Sequence, residues 1–401
     1  MNRAVLITGM GCVSGLGVGA GESWRRLKAG QGAIRPISRD GMEGCAAAIA
    51  DVAALNLPPS DDVRRLGRLD PLSLFTVVAT GEALGQAGLI GSPSLDRRTA
   101  VIVGCGSGGN ATIDKAYQRL FGQGQSKVHP QTIPSSMIAA PSAHVAMLHG
   151  IHGPAFTISS ACASSAHALG EAMHMIRAGR VDVAVVGGAE ACLNRGSWTG
   201  WQSLGVLAPD SCRPFSMDRQ GMVLGEGAAM LVLESEDHAR ARRAKPLGRL
   251  AGYGASSDAG QMTAPDADSM AAALRSAHDD AGVALDGPLL VSAHGTGTVL
   301  NDKTETAALR AVYGDWLDRH RVIATKSAHG HMIGAAGAME FVLGMRALNE
   351  GFAPPILNYL GADPDCDLPL AVEGRAFVAD ALVSSSFAFG GLNAVLIGTR
   401  A

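Results

Sequence analysis

Aromatic residues are scarce in this 401-residue chain, at 4%, and charged residues reach only 17%. With 47% hydrophobic residues against so little charge, the chain has an interior to bury, which excludes a disordered protein. The formal net charge of −3 leaves no overall positive field to hold nucleic acid or an anionic membrane. Paired cysteines are missing too. The seven cysteines (12, 45, 105, 162, 192, 212 and 366) are scattered, odd in number and never spaced Cys-x-x-Cys. That excludes a zinc ribbon and a disulfide framework and fits a reducing cytoplasm. No apolar run approaches the length of a membrane span, and Ala4–Ile7 is cut short by Gly9 and Gly11, too soon for a signal-peptide core. Glycine, by contrast, is abundant at 52 residues, as in α/β folds whose sites sit on tight loops.

Short β-branched runs alternate with Ala-rich stretches of helical spacing. The pattern predicts strands at Ala4–Thr8, Thr99–Val103, Ala155–Ser159, Val181–Val186, Ala229–Glu234, Leu289–Ala293, Val322–Thr325, Ala381–Ser385 and Ala394–Gly398. It predicts helices at Ser73–Ala87, Ala163–Ala178, Ser269–Ala281, Lys303–Val312 and Ile333–Asn349. Strands interleaved with helices make an α/β protein with buried sheets. The polar, basic stretch His238–Arg249, with Pro246, reads as a connection between two halves of similar size.

Two glycine clusters invite a nucleotide-binding reading. Gly104-Cys-Gly-Ser-Gly-Gly109 follows a strand and precedes a helix, but a ribose-binding acid is expected about 20 residues on. No Asp or Glu lies between Asp114 and Glu171. At Gly9–Gly11, Ser14 stands where a third glycine belongs. Both clusters read as sharp turns.

The stretch from Phe156 to Ala166, FTISSACASSA, reads as a strand ending in small residues, then a helix with Leu169, Met173 and Ile176 at helical spacing and Gly179 as its stop. Cys162 is thereby placed at a helix N-terminus, where free N–H groups and the peptide dipole stabilise a thiolate. A lone Cys among Ala and Ser also packs as an ordinary buried residue. Its company shifts the balance. His294 in VSAHGTGT, and Lys326 and His331 in KSAHGH, stand where strands run out into small-residue turns. One such His reads as a structural hydrogen-bonder. Three strand ends with reactive side chains point to a site.

At these residues the chain resembles the elongating, type II β-ketoacyl-[acyl-carrier-protein] synthases of the thiolase superfamily. Further matching blocks are Gly187-Gly-Ala-Glu190, Arg213-Pro-Phe215, Asp218-Arg219, Gly225-Glu-Gly227 and the run Phe387–Asn393, so the likeness runs essentially end to end. The resemblance implies a thiolase fold with two pseudo-duplicated halves in α-β-α-β-α layers, 1–240 carrying Cys162 and 241–401 carrying His294, Lys326 and His331. It implies acyl carrier protein as partner, and a dimer of two like chains or with a chain-length-factor-like subunit. No metal and no resident cofactor are expected, the phosphopantetheine arm arriving on the carrier. Cys162 is expected to take the acyl group as a thioester. His294 and His331 are expected to hold the malonyl thioester carbonyl through N–H donors while carbon dioxide leaves. The N–H groups of Cys162 and of the gating Phe389 are expected to hold the oxyanion. Lys326 and Glu340 are expected to form a buried pair that orients His331. Thr296 and Thr298 resemble the hydroxyls that bind the pantetheine arm, and also fit plain turn hydrogen bonds.

This chain also departs from the family pattern. His329 replaces a common Thr; with His331 it makes a His-x-His pair that suggests a metal, with no further ligand cluster evident in the sequence. Ala388 replaces the glycine before the gating Phe389, and its Cβ stiffens the gate, while Leu392 replaces the usual Thr. Ser107 and Met222 stand along the expected acyl tunnel, where a small Ser107 leaves room for a longer or bulkier chain. These features lean toward a specialised branch, such as the nodulation-type or polyene-type ketosynthases. Arg64, Arg65, Arg68 and Lys127, with Lys115 and Arg119, suit the steering of an acidic carrier protein, or an ordinary solvated face. Two other readings share much of the pattern. One is a non-catalytic, chain-length-determining partner subunit, in which the cysteine is usually replaced; the other is a thiolase or starter-type synthase, whose Cys-His-Asn set is not met at His331.

Overall fold

The computed structural model describes residues 3–39, 41–49, 55 and 69–401. Among them, ten strands run edge to edge in one mixed sheet: β1 (Val5–Ser14), β2 (Thr99–Gly104), β3 (Ala155–Ile158), β4 (Val183–Glu190), β5 (Gly227–Ser235), β6 (Gly248–Ser257), β7 (Leu289–Ser292), β8 (Arg321–Ile323), β9 (Ala381–Ala388) and β10 (Leu392–Thr399). A short eleventh strand, Gly17–Val18, pairs with β1. The spatial order is β8-β7-β9-β10-β6-β1-β5-β4-β2-β3. Each side of the middle repeats the other. From β1 outward through β5, β4, β2 and β3 the pairing is twice antiparallel, then twice parallel. From β6 through β10, β9, β7 and β8 it is the same. The two sides join where Leu6 and Ile7 pair with Arg249 and Gly248.

Five of the helices among the described residues carry the layers: α1 (Pro71–Ala87), α2 (Ser164–Arg177), α3 (Ala267–Ala281), α4 (Val299–Tyr313) and α5 (Ala336–Glu350). Helix α1 is capped by the Asp70 carboxylate on the Leu72 N–H, stops at the left-handed Gly88, and covers the outer face of the first half-sheet. Helices α3 and α4 cover the outer face of the second. Between the half-sheets lie α2 and α5 in one shared core. Every residue from Ala336 to Met345 is buried, and a helix apolar on all sides belongs in such a middle layer. The result is the α-β-α-β-α thiolase fold.

All nine predicted strands and all five predicted helices are present, but one prediction changes. The Gly9–Gly11 cluster is not a turn: β1 runs straight through it to Ser14. A Cβ on Gly9 or Gly11 would sit 2.0 or 2.2 Å from the backbone oxygens of Ala83 or Ala79, so these glycines let α1 press onto the strand. The stretch His238–Arg249 runs from one side of the sheet to the other and leads into β6, a central strand that the sequence pattern did not predict. There Gly252 and Gly254 admit α3 in the same way, a Cβ on Gly254 falling 2.2 Å from the Ala273 oxygen. Each strand also breaks register just before its first such glycine, at Ile7/Gly9 in β1 and at Leu250/Gly252 in β6. The duplication thus extends to single residues. Among the described residues, no helix is long and apolar enough to cross a membrane.

Candidate active site

The ends of β3, β7 and β8 converge on one sulfur. Cys162 lies in the one-turn helix Ala161–Ala163 that leads into α2, and Ala161 before it holds a left-handed φ of 49°. A non-glycine residue in that region is strained, and such strain gathers where a side chain must be presented at one angle. His331 Nε2 lies 3.0 Å from Cys162 Sγ, and the rings of His294 and His331 meet edge to face with centroids 5.4 Å apart. All three residues are buried.

Hydrogen bonds on the far side of each ring set its tautomer. The Ile333 N–H donates to His331 Nδ1 at 3.2 Å, and the Lys326 ammonium lies 3.3 Å from His294 Nδ1. With both Nδ1 atoms accepting, the neutral rings carry their protons on Nε2. Burial first, and the Lys326 charge second, hold both histidines well below the ordinary imidazole range, so they are neutral at pH 7. Burial also pushes the Cys162 thiol up to about 12, against the pull of Lys326. The helix N-terminus expected to favour a thiolate is in place, but burial of the sulfur outweighs it.

Lys326 is buried and pairs with the Glu340 carboxylate, as the sequence suggested, yet the pair faces His294 rather than His331. Besides the His294 ring, its ammonium donates to the His294 carbonyl at 2.6 Å. His331 is held instead by its backbone, its N–H on the Val223 carbonyl at 2.6 Å. His329 stands apart from the cluster, with its Nε2 2.9 Å from the Thr325 hydroxyl, and burial lowers it to about 3.

Among the described residues, the group close enough to hold a metal is Cys162, His294 and His331, whose ligand atoms lie within 4.8 Å of one another. A metal would need both Nε2 lone pairs, forcing protons onto Nδ1 against the Ile333 N–H and the Lys326 ammonium. The rings are set to donate, not to ligate.

Two cavities meet at the sulfur. The first, of about 310 Å³, is lined by Cys162, His294, His331, Thr296, Thr298 and Met222. The second, of about 380 Å³, is lined by Cys162, Ser107, Asn110, Cys192 and Ile333. Phe389, Trp201 and Leu204 border both, the Phe389 and Trp201 rings lying 6.1 Å apart. Ser107 and Met222, placed on one tunnel from sequence, therefore line different cavities. The hydroxyls of Thr296 and Thr298 lie 2.9 Å apart. Lys127 is exposed, and Lys115 and Arg119 line a separate hollow with His129. Arg64, Arg65 and Arg68 lie outside the described residues.

Sequence reasoning missed three residues that build the site. Glu305 accepts the N–H groups of His294 and Gly295 at 2.7 and 2.8 Å, and Asp302 accepts those of Phe215 and Gly297. The signal was the Asp-x-x-Glu spacing on the helix that follows the His294 turn. Trp201 carries no signal of its own.

This geometry, in this fold, defines a thiolase-type condensing enzyme. Residues 2–239 match the beta-ketoacyl synthase N-terminal domain and residues 247–360 the C-terminal domain, and the chain belongs to the beta-ketoacyl synthase family. It is 41% identical over 399 residues to nodulation protein E of Rhizobium leguminosarum bv. trifolii, covering 99% of both chains. It is 34% identical to 3-oxoacyl-[acyl-carrier-protein] synthase 2 of Coxiella burnetii, again over 99% of both. Among solved structures, the ishigamide ketosynthase/chain length factor superposes with a TM-score of 0.92 at 35% identity, covering 100% of both chains.

Proposed function

We propose that the chain catalyses the decarboxylative Claisen condensation of an acyl group with a malonyl group, both delivered on acyl carrier protein, and that Cys162, His294, His331 and Lys326 carry the chemistry. The observation behind this reading is the pair of Nε2–H donors facing one buried sulfur. The Cys162 sulfur displaces the carrier thiol from the acyl thioester, which leaves with the proton. Malonyl thioester then binds with its carbonyl on the two imidazoles. As carbon dioxide departs, the electron pair of the broken bond forms an enolate whose charge the two N–H groups stabilise. The enolate carbon attacks the acyl-Cys162 carbonyl, the N–H groups of Cys162 and Phe389 hold the oxyanion, and the sulfur is released to regain a proton. Two thioesters of nearly equal energy exchange at the first step, so a thiol suits it.

On this reading Thr296 and Thr298, in the first cavity, hold the pantetheine arm beside Met222. The acyl chain fills the second cavity past Ser107, with Phe389 as the gate between them. The division into halves at 240/241, supported by the mirrored strand order, puts the nucleophile on one and the donors on the other. A dimer is favoured by the exposed edge at Phe156, with Tyr117, Phe121, Ile133 and Met137 also exposed. The second chain is a like copy or a chain-length-factor-like subunit. Lys127, with Arg64, Arg65 and Arg68, is the docking candidate for the acidic carrier. Free thiols at all seven cysteines suit the cytoplasm. The non-catalytic partner reading is not favoured, since Cys162 stands with its full set of donors.

The test is direct. Purified protein is incubated with acyl-carrier and malonyl-carrier substrates; acyl-Cys162 is sought by mass spectrometry and carbon dioxide release is followed. Neither product forming, with the protein alone or beside a partner subunit, sinks the proposal.

A further inference from the structure

Glu190 ends β4 fully buried, and among the described residues no cation bonds to it. One of its oxygens accepts the N–H groups of Gly106 at 2.8 Å and Gly334 at 3.0 Å; the other accepts the Ser107 hydroxyl. The glycine-rich loop after β2, which mimics a phosphate cradle by spacing, thus holds the chain's own carboxylate. The fit leaves no slack: a Cβ on Gly334 would lie 2.4 Å from the Gly106 nitrogen, and one on Gly106 would lie 2.8 Å from the carboxylate.

Gly334 follows Ile333, a β-branched residue held at a φ of 42°, in the left-handed region. That bend turns the Ile333 N–H back onto His331 Nδ1 while the next N–H, of Gly334, goes to Glu190. We infer that Glu190 is a positioning residue: by anchoring the Gly334 peptide it holds the Ile333 N–H on the His331 ring, and so keeps the proton of that ring on Nε2, facing the sulfur. Through Ser107 the same carboxylate also touches the wall of the second cavity. The consequence for catalysis rests on the condensing reading above; the consequence for the ring does not.

Three variants separate these claims. In Glu190→Gln the amide oxygen keeps both backbone N–H groups and the amide nitrogen faces Ser107, whose hydroxyl also accepts, so positioning survives without charge. Glu190→Ala removes the anchor. If that variant does not fold, Glu190→Asp, a methylene short of both N–H groups, takes its place. The tautomer of His331 is read from ¹⁵N-histidine spectra, assigned with His331→Ala. Expected is an unchanged Nε2–H signal in the Gln variant and a mixture in the Ala or Asp variant. Carbon dioxide release falls by about tenfold or more in the Ala or Asp variant, as for loss of other orienting partners, while Gln stays within about threefold. Cys162 acylation, which does not need that donor, stays within about threefold throughout. A folded Ala or Asp variant that keeps the wild-type His331 signal overturns the inference, and so does a Gln variant as impaired as Ala. If the wild type itself neither takes acyl groups nor releases carbon dioxide, it is the condensing reading that falls, and the spectra still decide the role of Glu190.

Discussion

Lys326 grips His294 twice, at the ring through Nδ1 and at the backbone through the carbonyl, while Glu340 neutralises its charge from the other side. A buried cation that orients a neutral ring is a costly device, and removing one partner strands the other. Lys326→Met is expected to lower folding stability by about 3–5 kcal/mol in denaturant melts, because Glu340 is left unpaired. Adding Glu340→Leu is expected to restore much of that stability without restoring carbon dioxide release. If the double variant is as unstable as the single one, the pair is not what Lys326 serves.

On the proposed mechanism, His294→Ala removes one of the two donors on the malonyl carbonyl. Decarboxylation is expected to drop by about 100- to 1,000-fold, the loss typical of one oxyanion donor. Acyl-Cys162 still forms, as mass spectrometry of the intact protein would reveal. Equal loss of both steps would place His294 elsewhere in the mechanism.

Ser107→Phe fills the second cavity near the sulfur. Assayed on acyl carriers of graded length, the variant is expected to accept only shorter chains than the wild type. An unchanged profile would move the acyl chain out of that cavity.

Acid is expected to loosen the second half. His320 is fully buried, its ring 4.5 Å from that of Tyr313, and burial lowers it to about 4 from the ordinary 6.5. His278, bonded to the Tyr313 hydroxyl, is lowered too, again by burial. Between those two pH values the unfolded chain binds more protons than the folded one. The stability present above pH 6.5 is therefore lost as pH falls toward 4, by about 2 kcal/mol at pH 5 for His320 alone. In melts at pH 7.5 and pH 5, His320→Gln is expected to lose less stability than the wild type. Parallel curves for the two proteins would contradict this.

Gly11→Val and Gly254→Val drive side chains into the oxygens of Ala79 and Ala273. Each is expected to cost about 3 kcal/mol or more, since backbone cannot yield as a side chain would. Soluble expression and melting temperature report the effect, and it is expected to be similar at the two sites because the halves repeat.

Those two glycines also mark where sequence reading stopped short. Apolar runs such as Ala229–Glu234 and Ala381–Ser385 show their strands openly, since both faces are buried. Strand β6, GRLAGYGASS, does not: its glycines suit helix contact rather than strand propensity, and nothing local distinguishes that from a loop. The three groups at the sulfur were legible because each sits in a small-residue turn at the end of a strand. What Lys326 touches was not, as a lysine four carbons long reaches either histidine, and only packing chooses. Nor was the split between the cavities of Ser107 and Met222, which depends on where Phe389 and Trp201 lie in space.

The sulfur follows a strand of one half-sheet and both imidazoles follow strands of the other, and among the described residues the main sheet joins the two halves at Leu6 and Ile7. The two are tied at the site by the His331 N–H on the Val223 carbonyl and the Gly334 N–H on Glu190. They are spaced by the middle layer, where Gly337 of α5 lies so close to Ala166 of α2 that an added Cβ would stand 3.0 Å from the alanine methyl. A methyl group inserted there is expected to act as a shim, widening the gap between the sulfur and the imidazoles without altering either. On the proposed mechanism turnover is then expected to report helix spacing as well as melting does, so that drift at a remote glycine reaches the chemistry.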